Sequence, residues 1–243
     1  MKLVIGYFYP KLLNLYGDDG NVQILSSRAK ARGIDVEVVN ITLETKVTKK
    51  LMSSFDIVFM GGGPDSGQKE MYGDLLKNKK SFIKDYVESG KVGLFICGSY
   101  QLLGNYYKAA DGAILKGLGV FDLYTHHFGI KFPRCIGNVV AKTSFLKEHF
   151  FLVGFENHGG RTFLGKGVKS LAKVIKGHGN NSTDKTEGVI YKNSIGTYLH
   201  GPVLSKNPHL ADYLLAKSIG CKKLHPLEDS IIWRAHDYAK KIS

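Results

Sequence analysis

The chain has 243 residues, of which 43% are hydrophobic, 23% charged and 11% aromatic. This balance excludes disordered, collagen-like and low-complexity classes and is enough for a large core without disulfide or metal staples. Lys plus Arg number 34 against 21 Asp plus Glu, a formal net charge of +13, but the basic residues fall in scattered pairs such as Lys49-Lys50, Lys79-Lys80, Lys222-Lys223 and Lys240-Lys241. No Arg-rich helix or RNA-binding aromatic motif accompanies them, so the excess reads as solubility and attraction to anionic partners rather than nucleic-acid recognition. No apolar run approaches the ~20 residues of a bilayer span, and Met1-Lys2-Leu3-Val4-Ile5-Gly6 is too short an apolar stretch for a secretory signal. The cysteines at 97, 135 and 221 lack metal-binding CxxC spacing and cannot all pair, which fits a reducing cytosol.

Taken in chain order, Lys2–Tyr9 reads as a strand. Asn21–Arg32 carries Val22, Leu25 and Ala29 at helical spacing and stops at Gly33. Ile34–Ile41 alternates as a strand does. Phe55–Met60 is a run that is apolar apart from Asp56 and ends in Gly61-Gly62-Gly63-Pro64, the pattern of a buried parallel strand feeding a loop with exposed backbone. A helix is expected over Leu75–Ser89, a second buried strand over Val92–Ile96, and another helix over Tyr100–Tyr107. The second half is richer in strands, expected at Gly119–Tyr124, Gly137–Ala141, Phe151–Phe155, Val174–Lys176, Gly188–Tyr191 and Ser194–Leu199. Asn207-Pro208 is expected to cap a helix that ends near Ile219 before Gly220. A last helix, Leu227–Lys241, is expected to turn Ile231, Ile232, Ala235 and Ala239 inward. The βαβα order predicts an α/β fold, a mostly parallel twisted sheet flanked by helices in one domain spanning residues 1–243.

The strongest chemical signal is Leu94-Phe95-Ile96-Cys97-Gly98-Ser99-Tyr100-Gln101. A nucleophile between a buried strand and a helix sits on a tight turn that needs small neighbours, at the carboxyl edge of the sheet where α/β sites form. The following helix N-terminus favours a thiolate, and amides such as that of Gly98 can hold an oxyanion. A buried structural cysteine is the alternative, and it is the reading for Cys135 and Cys221. A nucleophilic thiol needs a base. Among histidines 126, 127, 149, 158, 178, 200, 209, 225 and 236, His200 follows the strand Ser194–Leu199 and precedes Gly201-Pro202, which places it at the same sheet edge; a hydrogen-bonded strand-end histidine fits equally well. His158 is the second choice. The Gly62–Gly63 loop can offer oxyanion amides. It lacks the GxxxxGK[ST] pattern of a phosphate loop, and Gly160-Arg161-Thr162-Phe163-Leu164-Gly165-Lys166-Gly167 lacks the Mg²⁺-binding hydroxyl and reads as a flexible loop. No ATP or metal site is expected in this chain.

Gly61-Gly62-Gly63-Pro64-Asp65, Ile96–Gln101 and Gly196-Thr197-Tyr198-Leu199-His200-Gly201-Pro202 together resemble class I glutamine amidotransferases of the cobyric acid synthase (CobB/CobQ-like) type. Leu13-Asn14-Leu15-Tyr16-Gly17-Asp18-Asp19-Gly20-Asn21, Gly154-Phe155-Glu156-Asn157-His158-Gly159-Gly160-Arg161-Thr162 and Gly177-His178-Gly179-Asn180-Asn181 narrow the likeness to glutaminase subunits of lipid II isoglutaminyl synthase. The resemblance implies a flavodoxin-like three-layer sandwich, Cys97 as nucleophile, His200 as general base and acid, and Arg134 as the residue that grips glutamine. Gly62, Gly63 and Gly98 are the implied oxyanion donors. It further implies a heterodimer with a Mur-ligase-like synthetase of the MurT kind. ATP and Mg²⁺ are expected on that partner, lipid II as the acceptor, and a cytoplasmic complex with peripheral access to the inner membrane leaflet. Other acceptors, such as a corrinoid acid, and a non-catalytic partner-binding module are the alternatives. Phe95 and Ser99 stand where the common elbow has glycines, and Pro202 stands where most relatives carry a glutamate two residues after the histidine. No carboxylate is therefore positioned by sequence beside His200; Glu156, another distant residue or a partner chain remain open.

Overall fold

Strand and helix alternate through the first hundred residues in a computed structural model that describes residues 1–146 and 150–242. His149, one of the nine histidines, lies outside the described residues. The chain runs β1 (Lys2–Phe8), α1 (Asp19–Lys30), β2 (Asp35–Ile41), α2 (Lys49–Ser54) and β3 (Ile57–Met60). Then α3 (Asp65–Asp74) passes through a π turn at Leu75–Lys79 into α4 (Lys80–Glu88), followed by β4 (Val92–Ile96) and the short α5 (Gly98–Leu102). The strands of the second half are β5 (Tyr106–Lys108), β6 (Ile114–Lys116), β7 (Leu123–His127), β8 (Cys135–Lys142), β9 (Phe151–His158) and β10 (Gly160–Leu164), then β11 (Ala172–Lys176), β12 (Thr186–Glu187), β13 (Val189–Tyr191) and β14 (Ser194–Thr197). Two helices close the chain, α6 (Pro208–Ser218) and α7 (Ser230–Ile242).

Six strands form the central sheet in the order β13-β14-β4-β3-β1-β2. Every neighbouring pair in it is parallel except β13 with β14. Composition explains the order: β3 and β4 are buried at every residue and take the middle, whereas β2, with Asp35 and Glu37 exposed, takes an edge. The carboxyl ends of β3, β4 and β14 therefore lie side by side, and each runs into one of the three segments the sequence singles out. Two smaller sheets, β10-β7-β5-β6 and β12-β11-β8-β9, are built from the strand-rich second half.

The fold corrects several sequence expectations. The helix expected over Tyr100–Tyr107 stops at Leu102, and Tyr106–Lys108 pairs with β7 instead. Residues 118–120 are not strand, because their amides bond back to the carbonyls of Leu102, Gly104 and Leu103 at 2.8–2.9 Å and terminate the short helix. The segment read as a flexible loop contains β10, paired with β7 from Gly160 to Leu164. Asn207 does not cap α6 through its side chain; its amide instead accepts from the Val153 amide at 3.0 Å and donates to the Val153 carbonyl at 2.7 Å, tying α6 to β9. The last helix turns Ile232, Trp233, His236 and Ala239 toward the domain, while Ile231 is 77% exposed and Ala235 is also exposed. Its inward face is rotated because His236 Nδ1 engages the Lys206 carbonyl at 2.6 Å and the Trp233 ring stacks on His209 at 5.2 Å.

The N- and C-terminal parts are joined through Arg28, 5% exposed, whose guanidinium holds Asp212 of α6 at 2.7 Å and Asp229, just before α7, at 2.7 Å. Arg32 adds a contact to Asp212 at 2.8 Å. Removing one member of such a buried network leaves uncompensated charge. Arg28→Ala is expected to lower unfolding free energy by about 3 kcal/mol, measured by urea denaturation; a loss below about 1 kcal/mol contradicts this account.

Candidate active site

Cys97 sits between β4 and α5 with φ 52° and ψ −108°, a backbone conformation that side-chain-bearing residues rarely adopt. The turn is held by Ser99, buried, whose hydroxyl donates to the carbonyls of Met60 at 2.7 Å and Ile96 at 2.9 Å. Serine in place of the usual glycine thus fastens the elbow to the end of β3. Gly98 opens α5, and a Cβ there would lie 2.6 Å from the carboxamide of Gln68, which donates to the Gly63 carbonyl at 2.8 Å, so a larger residue would have to displace that side chain.

The structure brings Cys97 and His200 together across Gly62. A Cβ built on Gly62 would lie 3.0 Å from His200 Cε1, 3.1 Å from Cys97 Cβ and 3.2 Å from Asp18 Oδ2. Cε1 and Cβ are therefore no more than about 6 Å apart, both crowding the space a side chain on Gly62 would take. His200 is placed by backbone pairing with Phe155 of β9, at 2.8 Å and 3.1 Å. Its Nδ1 meets Asp18 Oδ1 at 3.1 Å, in a pair whose side chains are both fully buried. Nε2 makes no hydrogen bond of standard geometry, and the Cys97 thiol is near enough to favour the protonated ring. Burial opposes charge on His200, yet the hydrogen bonds and charges of Asp18 and Cys97 outweigh it, and its pKa is pushed up to about 10. At neutral pH this imidazole is an acid with a proton to give.

Asp18 is the group the sequence did not position. Its other oxygen accepts the Gly62 amide at 2.7 Å, so Gly62 belongs to the frame of the site and its amide is removed from the expected oxyanion donors. Pro202, where a glutamate is usual, packs against the start of α1: a Cβ on Gly20 would fall 2.3 Å from its ring. The carboxylate thus reaches the histidine from α1's leading loop, two residues before the glycine that Pro202 covers. The signal available beforehand was the stretch Leu13–Asn21, acidic and glycine-bearing directly after the first buried strand.

The remaining candidates are placed elsewhere. Glu156 is not the third group. It accepts the amides of His178 at 2.6 Å and Gly179 at 2.9 Å, fixing the Gly177–Asn181 loop. His158 stacks on Tyr198 at 3.6 Å and meets the Gly160 carbonyl at 2.7 Å, with burial lowering its pKa, so it is a neutral structural histidine. Beneath them Glu187, fully buried, has its pKa raised to about 7 by burial and by the charge of Glu156, against hydrogen bonds from Thr197 and Tyr198. Arg134 is exposed, its Nε donating to Asn157 Oδ1 at 2.8 Å and its Nη2 to the Asn157 carbonyl at 3.1 Å. Cys135 is buried beside Ser182, and Cys221 is half-buried; neither approaches the elbow's setting.

Two expectations follow. Gly62→Ala requires the Cys97 and His200 side chains to give by a few tenths of an ångström and is expected to lower turnover about tenfold with the fold retained, less than the ~10² of a full 1 Å misplacement. Asp18→Asn removes the carboxylate that favours imidazolium and is expected to lower turnover about 10²-fold. A raised histidine pKa contributes stability that is fully present below about 6.5 and is lost as pH rises toward 10. The stability gap between wild type and Asp18→Asn should therefore narrow across that interval in thermal denaturation; a constant gap contradicts the assigned pair.

Known proteins resemble this chain to different degrees. The CobB/CobQ-like glutamine amidotransferase domain matches residues 4–208. The chain is 45% identical over 217 residues, 89% of its length and 84% of the relative's, to the lipid II isoglutaminyl synthase (glutamine-hydrolyzing) subunit GatD of Staphylococcus aureus strain N315. It is 40% identical over 218 residues, 90% and 81% of the two chains, to the subunit of the same name from Streptococcus pneumoniae. A solved glutamine amidotransferase superimposes with a TM-score of 0.60 at 17% identity, covering 88% of this chain and 98% of the other, a likeness of fold.

Proposed function

We propose that this chain, which belongs to the CobB/CobQ-like glutamine amidotransferase family, is the glutaminase subunit of a lipid II isoglutaminyl synthase. The observation that carries the reading is Gly62 seated between Cys97, His200 and Asp18, together with the extent of likeness to relatives that bear that name.

The chemistry follows from the placement of the pair beside Gly62. Cys97 as thiolate attacks the side-chain carbonyl carbon of glutamine, and the amides of Gly63 and Gly98 are the proposed donors to the resulting oxyanion. The His200 imidazolium, held by Asp18, gives its proton to the amide nitrogen, the C–N bond breaks, and ammonia leaves behind a glutamyl thioester. His200, now neutral, takes a proton from water as its oxygen attacks the thioester carbon. The C–S bond breaks, glutamate departs, and the thiolate–imidazolium pair is restored. Arg134 is proposed to pair with the α-carboxylate of glutamine, a geometry that a planar guanidinium suits.

Ammonia is useful only beside an activated carboxyl group, and the sequence carries no nucleotide-binding motif. A synthetase partner of the Mur-ligase-like MurT kind, where ATP and Mg²⁺ act, is therefore part of the proposal, with the D-glutamate α-carboxylate of the lipid II stem peptide as acceptor. Among the described residues no helix is long and apolar enough to cross a membrane. The formal net charge of +13 supports approach of the complex to an anionic leaflet from the cytoplasm.

The test joins enzymology to cell-wall analysis. Full-length chain purified with its co-expressed synthetase is expected to hydrolyse glutamine, and Cys97→Ala is expected to lower this by ~10³-fold or more. Depletion in the cell is expected to leave D-glutamate where muropeptides carried D-isoglutamine, read by mass spectrometry. Unchanged hydrolysis removes the catalytic assignment; unchanged muropeptides remove the lipid II acceptor.

A further inference from the structure

Tyr16 links two parts of the site. It lies in the loop after β1, with φ 57° and ψ 23°, a left-handed conformation that a bulky aromatic residue rarely accepts. The neighbouring Leu15 amide is tied to the Gly62 carbonyl at 2.9 Å, and Asp18 follows two residues later, so the loop cannot relax without disturbing the glycine frame. The ring packs edge-on against His200 with centroids 5.0 Å apart and against Phe155 at 6.1 Å. Although 45% of Tyr16 is exposed, its hydroxyl is not idle: it accepts from Asn157 Nδ2 at 2.6 Å.

Asn157 is two residues beyond Phe155 on β9, on the same side of the strand, and the two side chains clasp Tyr16 together. The other end of the Asn157 amide, Oδ1, accepts from Arg134 Nε at 2.8 Å, and its backbone carbonyl accepts from Nη2 at 3.1 Å. One edge of the guanidinium is thereby fixed, and the opposite edge, Nη1 with the second proton of Nη2, is the one left to face a carboxylate. An exposed arginine on a loop would otherwise sample many rotamers, and ordering it costs entropy on binding. The relay runs from the catalytic imidazole to the tyrosine ring, from its hydroxyl to the asparagine amide, and from that amide to the guanidinium.

We propose that Tyr16 and Asn157 are positioning residues that pre-order Arg134 for the α-carboxylate of glutamine and set its distance from His200, an inference that rests on the glutaminase reading of the site. Tyr16 acts twice: its hydroxyl holds Asn157, and its ring covers His200.

The two roles separate in steady-state glutamine kinetics of the full chain with its synthetase. Tyr16→Phe keeps the ring and loses the hydroxyl, and is expected to raise KM roughly three- to tenfold with the larger part of the loss in KM rather than kcat. Asn157→Ala is expected to do the same, while Tyr16→Ala, which also uncovers His200, lowers kcat as well. Arg134→Ala is expected to raise KM at least ~10-fold. In an Arg134→Ala background, Tyr16→Phe should add less than about twofold, because the group it orders is gone. Full additivity, or a Tyr16→Phe loss confined to kcat, overturns the proposal while leaving the glutaminase intact. An unchanged KM in Arg134→Ala overturns the role of Arg134 and this proposal with it.

Discussion

One buried carboxylate organises this molecule. Asp18 is fully inaccessible and divides its two oxygens between the His200 ring and the Gly62 amide. Taking a carboxylate out of water costs several kcal/mol unless charge-matched and hydrogen-bonded partners replace its hydration. Three segments distant in sequence must therefore arrive together: the loop after β1, the glycine loop after β3, and the residue after the last sheet strands. Asn21 extends the constraint, its side chain bonding the Asp18 carbonyl at 3.1 Å and accepting the Leu204 amide at 3.0 Å, which anchors the chain just beyond His200. The geometry of the Cys97–His200 pair and the folding of the carboxyl edge are consequently one problem.

Cys97 and His200 were legible because each terminates a buried apolar run, and an α/β sheet gathers such termini at one edge. The position of the glycine loop was legible for the same reason, but not the role of Gly62, whose amide is taken by Asp18. Asp18 was not, since no periodicity places a loop residue 182 positions from the histidine that it orients. The departure at Pro202 said only that a carboxylate was missing from the customary place. Its substitute became visible once Pro202 was seen lying on Gly20. Asn157 was obscure for a related reason: it meets Arg134 because β8 and β9 are antiparallel, pairing Cys135 with His158, and that register is not written in either strand alone.

The smaller sheets show where local pattern gives out. Their strands are short, as with the three residues of β5 and the two of β12, and a pair of tyrosines after a helix reads as helix until a partner strand is found. Tyr106 finds it in Tyr124 and His126, with ring centroids at 5.4 Å and 5.5 Å. In these sheets cross-strand packing decides the structure, and intrinsic preference follows. The central strands behave differently, because four or five consecutive buried apolar residues admit few alternatives.

Strain and burial concentrate at the same place for a physical reason. Cys97 and Tyr16 both hold left-handed backbone angles, and both lie against the glycine loop after β3, where Leu15 bonds Gly62 at 2.9 Å and Cys97 flanks the same glycine. Such conformations persist only where surrounding contacts over-determine them. Here those contacts are the hydroxyl of Ser99 on β3, the Asp18 carboxylate, and the Asn157 amide on the Tyr16 hydroxyl. Each is a directional hydrogen bond, and the last two converge on the loop carrying Asp18. A site made this way does not tune the thiol and the imidazole independently. Whatever moves the loop after β1 moves the carboxylate, the cover over the histidine and the orientation of Arg134 together. That loop is the natural point at which contact with a second subunit would be felt by the chemistry.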